Sequence, residues 1–197
     1  MKKSAEFFDE AYFEKAQDGH KSNYTRVGGY RRHVANIDWP GIAEMLVEKY
    51  DLLGRYVLDV GCGYGYLVRA LRQAGANSYG VDISEFAIEQ TVEGVGGLTW
   101  QSDIAEEVPT IPDRHPLKKW DLIVSLDVLE HVETKTEAEE LLESIAKQAY
   151  NQYHKVNTGE FGHQAFGGDQ SHGLAMPLAE WEELAGEVSG DITVVTG

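Results

Sequence analysis

Apolar positions along this chain alternate between short unbroken runs and stripes at helical spacing. The run Tyr56–Val60 (YVLDV) is rich in apolar and β-branched residues, which suits a strand buried on both faces of a parallel sheet. It turns through Gly61, Gly63 and Gly65 into the stripe Leu67, Val68, Ala70, Leu71 and Ala74, with Gly75 as the helix stop. The alternation recurs. Asn77–Ile83, Leu98–Ser102, Trp120–Leu126, Tyr153–Thr158 and Ile192–Val195 read as further strands. Between them, Ser84 caps a helix that Ile83 and Ile88 are spaced to staple, and Ala138, Leu141, Leu142, Ile145 and Ala149 form one apolar face. Another face, Leu178, Trp181, Leu184, Ala185 and Val188, begins near Pro177. Upstream, Asp38-Trp39-Pro40 starts a helix that Gly54 is expected to end.

Strand–helix alternation with acids at the strand ends predicts an α/β fold: a doubly wound, mostly parallel Rossmann-like sheet of about six or seven strands. Such a sheet binds its ligand at the carboxyl edge. Pro109, Pro112 and Pro116 make residues 105–119 a loop over that edge. Residues 1–37 are different in kind, dense in aromatics (Phe7, Phe8, Tyr12, Phe13, Tyr24, Tyr30) within polar sequence. They are expected to form a helical, aromatic cap on a single globular unit, 38–197.

Composition narrows the class. Thirty-three Asp and Glu against 17 Lys and Arg give a net charge of −16, which disfavours a nucleic-acid backbone as partner. The region before Ala35 is slightly basic, so the arm is expected to dock electrostatically on an acidic body or to clamp an anionic substrate. No apolar run approaches the ~20 residues of a membrane span, and Met1-Lys2-Lys3 leads into no apolar signal region. Cys62 is the single cysteine. That excludes an internal disulfide framework and fits a reducing, cytoplasmic setting. Within the glycine turn it reads as a small filler, since nothing beside it in sequence lowers a thiol pKa.

The turn itself is not the G-x-G-x-x-G of dinucleotide enzymes, because its third glycine comes one residue early. The spacing Asp59, Gly61, Gly63, Gly65 resembles motif I of the class I S-adenosylmethionine (SAM)-dependent methyltransferases. Asp82 ends the second strand about 20 residues on, where a carboxylate can accept both hydroxyls of a ribose. Asp103-Ile104 resembles the family's adenine position. Asp127–Val132 (DVLEHV) is similar to the segment after strand four in its small-molecule members. The resemblance spans roughly Tyr56 to Trp181. It implies methyl transfer from SAM to an O, N or C nucleophile of a small molecule, with S-adenosylhomocysteine (SAH) as product.

The same resemblance implies a cofactor set of Asp59, Gly61, Cys62, Gly63, Gly65, Asp82, Ile83, Asp103, Ile104, Leu126 and Asp127. GGDQSHG, holding Asp169 and His172, resembles an element near the acceptor, so His172 and then His131 are the candidate bases; His131 otherwise anchors the helix start. Tyr24 and Arg26 are expected at the acceptor. His154, His163, Asp169 and His172 match no familiar metal spacing, and no metal is expected. Family members usually finish with a reversed hairpin whose last strand inserts beside strand five. After what reads as the penultimate strand, either that strand is absent, leaving an edge for a homodimer to cover, or one strand is misassigned. A SAM-binding subunit without transferase activity is the alternative reading.

Overall fold

In the computed structural model, residues 4–14, 22, 24–112, 119–158 and 172–196 are described. Six strands form one sheet: β1 (Tyr56–Val60), β2 (Asn77–Asp82), β3 (Thr99–Gln101), β4 (Trp120–Leu126), β5 (Ala149–Val156) and β6 (Asp191–Thr196). Their order is β3-β2-β1-β4-β5-β6, and every pairing is parallel. Strand order reverses between β1 and β4, which opens a crevice at their carboxyl ends.

Both faces of the sheet are covered, as the unbroken apolar runs require. Val57, Leu122 and Val124 pack with α3 (Trp39–Tyr50) and α4 (Tyr66–Gln73). Leu58, Val60 and Ile123 pack on the other face with α6 (Lys135–Gln148) and α7 (Leu178–Glu187). Thr134 caps α6 by accepting from Glu137 N, and Asp38 caps α3 through Gly41 N. Ser84 caps the short α5 (Glu85–Glu89) through Ala87 N, as its sequence position predicts. The proline-rich segment is irregular where described, and Trp120 Nε1 pins it by donating to Pro109 O at 2.7 Å.

Two expectations are corrected. β5 starts at Ala149, not Tyr153, because its backbone is committed to the β4 ladder from Trp120↔Ala149 onward, directly out of α6. Helix α3 ends at Asp51, which takes the left-handed conformation (φ 51°) and donates to Val47 O. Gly54 instead shapes the entry to β1. The last described strand lies directly beside β5. The crossover through α7 delivers β6 parallel to β5, register Asn151↔Asp191 to Val156↔Thr196.

The amino-terminal arm holds two short helices, α1 (Glu10–Phe13) and α2 (Tyr30–Val34), and two 3-10 turns. Its rings form a cluster with Tyr64, Val68 and Val92. Polar contacts fasten it: Tyr64 Oη donates to Glu14 Oε1 (2.6 Å), Ser84 Oγ to Phe8 O (2.5 Å) and Arg31 to Gln90 O (3.1 Å).

Inside the sheet, Ser125 Oγ lies 2.8 Å from His154 Nδ1, and His154 Nε2 lies 2.9 Å from Gln152 Oε1. Gln152 Nε2 donates to Leu142 O, so its Oε1 accepts; His154 is therefore protonated on Nε2 and accepts from Ser125. Burial pushes the His154 pKa down to about 3. The unfolded chain binds a proton here near pH 6.5, so between pH 6.5 and 3 it binds more protons than the folded one. Stability from this site is complete above pH 6.5 and is lost as pH falls, at up to about 1.4 kcal/mol per unit. In urea denaturation from pH 7 to 4, His154→Gln should show a flatter pH dependence than the wild type. Equal slopes would mean that the imidazole is not held neutral.

Candidate functional site

The glycine turn is built by hydrogen bonds from its neighbours. Gly61 N and Cys62 N both donate to Val81 O (2.8 and 3.0 Å), which draws the turn over β2. Gly63 N donates to Asp82 Oδ2 at 2.8 Å, and Asp82 Oδ1 accepts from Ser84 N at 2.9 Å. One buried carboxylate thus ties the tip of β2 to the turn after β1. Gly61 and Gly63 have φ of 69° and 52°, a region that side chains strain to enter. A Cβ on Gly61 would collide with Val128 Cγ2, and one on Gly63 would stand 2.5 Å from Tyr30 Oη.

Over this turn lies a cavity of about 630 Å³ at the carboxyl edge of the sheet, within the size range of small-molecule sites. Of the residues singled out from sequence, Gly61, Gly63, Asp82, Ile83, Asp103, Ile104, Leu126, Asp127, His131 and Tyr24 line it. Asp59, Cys62 and Gly65 stand behind the wall. Asp59 and Cys62 are buried, and Gly65 faces the side chains of Val95, Thr91 and Thr99. His172 is not in the lining, but its ring centroid is 5.1 Å from that of His131, which also meets Phe8 edge-on. The side chain of Arg26, and all of His163 and Asp169, lie outside the described residues.

Electrostatics divide the site in two. At the β1–β2 end, burial raises the pKa of Asp82, against the pull of the Ser84 and Gly63 N–H groups. Asp59 is raised well above the carboxylate range by burial and by Asp82. Burial likewise pushes up the Cys62 thiol, in keeping with a filler. At the β4–β5 end, Asp127 sits at φ 56° and receives Lys155 Nζ on both oxygens (2.6 and 2.8 Å). Glu130, fully buried behind it, accepts from Asn157 N (3.2 Å), and burial pushes its carboxyl up to about 8. Among the described residues no group of three or more His, Cys, Asp or Glu is placed to hold a metal.

Two lining residues escaped the sequence reading. His33 stands on α2 three residues after Tyr30, so both face the cavity. Lys155 reaches it because the register aligns it with Leu126. Helical spacing from Tyr30 would have flagged His33. No local signal marks Lys155.

A family model described as a methyltransferase domain matches residues 58–150. Over that stretch, just under half of its length, the chain is similar to a methyltransferase domain. Outside that span the likeness thins. The ubiquinone biosynthesis O-methyltransferase of Pseudomonas fluorescens is 34% identical over 93 residues, 43% of this chain and 37% of that one. Its Haemophilus ducreyi counterpart is 34% identical over 85 residues, 41% and 36% of the two chains. The chain thus spans little more than a third of the curated relatives it matches. Among solved structures, the magnesium protoporphyrin IX methyltransferase of Synechocystis PCC 6803 with bound SAH aligns at TM-score 0.58 and 24% identity, over 87% of this chain and 78% of that one. A SAM-dependent methyltransferase from Archaeoglobus fulgidus aligns at 0.56 and 24%, over 76% and 68%. Both share the methyltransferase domain's fold.

The close approach at Gly63 can be measured. Gly63→Ala should lower the urea midpoint more than Gly54→Ala, since Gly54 is also left-handed (φ 67°) but faces open space. The shared left-handed penalty is about 1–2 kcal/mol, so the excess reads the clash with Tyr30. Equal losses would place no ring there.

Proposed function

We propose that the chain transfers a methyl group from SAM to an O, N or C nucleophile of a small molecule. The observation that carries this is the convergence on one cavity of a turn that bears no Cβ at Gly61 and Gly63, of Asp82 at the end of β2 and of Asp103 just past β3. The residues fit the group. The Asp82 carboxylate has four lone-pair sites, of which Gly63 N and Ser84 N occupy two, leaving acceptors for a ribose. Asp103, which also turns its own loop through Ala105 N, with Ile83 and Ile104 would hold the adenine. Gly61, Leu126 and Asp127 would border the methionyl end, while Asp59, Cys62 and Gly65 keep the turn in shape behind it. When bound, SAM supplies a sulfonium methyl, already activated for displacement. The chain's own task is alignment and exclusion of water, for which the capping arm, residues 1–37, is suited. His172 and His131 stay candidates for removing an acceptor proton, and Tyr24 with Arg26 for acceptor binding.

A concave cavity in a strongly acidic chain favours a metabolite over a nucleic acid. No helix among the described residues is long and apolar enough to cross a membrane. A single thiol suits a reducing cytoplasm. A second copy of the chain could cover the β6 edge.

In calorimetric titration with SAH, Asp82→Asn and Asp82→Ala should weaken binding at least tenfold, the alanine more. NAD should not bind measurably. Unchanged SAH affinity in both variants would remove Asp82 from the site. Tight SAH binding without methylation of any acceptor would favour a non-catalytic SAM-binding subunit.

A further inference from the structure

We propose that the acceptor is an aromatic hydroxyl compound, with His33, in place of the sequence candidates His172 and His131, as the base that takes its proton and Lys155 as the cation that steadies the oxygen. This rests on the methyl-transfer reading above and names the chemistry of its acceptor half.

Three elements meet at the β4–β5 end of the cavity: α2 brings His33, the turn after β4 brings Asp127, and β5 brings Lys155. His33 is placed by its own helix. Tyr30, one turn before it, rests on Gly63, so the face carrying His33 and Val34 is set over the crevice. The imidazole meets Tyr24 with ring centroids 5.0 Å apart. It makes no hydrogen bond to a described residue, which leaves a ring nitrogen to accept. Asp127 and Lys155 are its charged neighbours, and partial burial outweighs the Asp127 charge to hold its pKa below 6.5. It is therefore neutral at pH 7. Its exposure on the other side gives the captured proton a path to water.

The same surroundings select the acceptor. Lys155 is the one Lys or Arg among the described residues lining the cavity. Two of its N–H groups point at Asp127, and the third is uncommitted among the described contacts. Although Asp127 balances its charge, the third N–H can donate to an oxygen gaining negative charge, whereas an ammonium has no lone pair to accept it. An imidazole can deprotonate a phenol, of pKa about 10, far more readily than a water-like alkyl hydroxyl near 16. The flat apolar surfaces of Phe8, Tyr12, Tyr24, Tyr30 and Trp39 in the wall suit a planar ring. In the step, the hydroxyl oxygen forms the new C–O bond as the carbon–sulfur bond breaks. That bond's pair stays on sulfur as neutral SAH, and the hydroxyl proton goes to His33, then to solvent.

Two probes test this on the full chain, each after SAH titration confirms a loaded, folded protein. The first is 4-nitrophenol, whose coloured phenolate reports its ionisation directly. Bound to the SAH-loaded protein, its apparent pKa should fall by about one unit, a tenfold shift in ionisation. Lys155→Met should abolish most of that shift. The second is catechol with SAM. His33→Gln should cut kcat about 100-fold with KM little changed, and activity should rise with pH as hydroxide replaces the base. Failure to bind SAH would overturn the methyl-transfer reading itself. SAH binding with no uptake of either phenol, no change of ionisation in Lys155→Met, or a full kcat in His33→Gln would overturn this inference alone.

Discussion

The site depends on the Asp82 carboxylate sealed between two backbone N–H groups. Placed at the tip of β2, it receives Gly63 N from the turn after β1 and Ser84 N from the start of α5. Charge-assisted bonds of this kind are about twice as strong as neutral ones. Burial costs the ion its hydration, and the two donors offset part of that cost. Remove the carboxylate and the turn loses the one side-chain acceptor that sets how far Gly63 stands over the crevice.

From this anchor the arm makes sense as more than a cover. Tyr30 sits where a Cβ on Gly63 would be, and its ring meets Tyr64 and Tyr24 at centroid distances of 4.7 and 4.9 Å. Such edge-to-face pairs contribute about 0.5–1.5 kcal/mol each beyond area burial. The arm is thereby registered against the turn, and His33 with it. Net charge plays a lesser part in the described docking contacts, which are mostly rings, with Glu14 and Arg31 each bonded to an uncharged group.

On the opposite side, the sheet's interior does the positioning. Ser125, His154 and Gln152 satisfy one another where all three side chains are shut off from water. Shifting the register by one residue would break that chain and leave buried polar atoms unpaired, at about 1–3 kcal/mol each. The register that keeps it intact also sets Leu126 beside Lys155, and so brings the lysine to Asp127. A structural hydrogen-bond relay and a site ion pair are in this sense one decision.

Local chemistry in the chain was enough to determine the fold class, the central strands, the caps at Asp38 and Ser84, and the glycine turn with Asp82 at its side. Each of these is governed by periodicity, a turn residue or a short sequence distance. Tertiary structure decided what depends on register and on contacts between distant segments. β5 begins at Ala149 because β4 is there to pair with it. Asp59, Cys62 and Gly65 stand behind the wall because the turn folds over β2. His33 and Lys155, more than 100 residues apart in the numbering, share a cavity because α2 lies on Gly63 and β5 runs parallel to β4. No short-range pattern encodes such a meeting, since it is fixed by packing and ladder hydrogen bonds that exist only once the chain is folded.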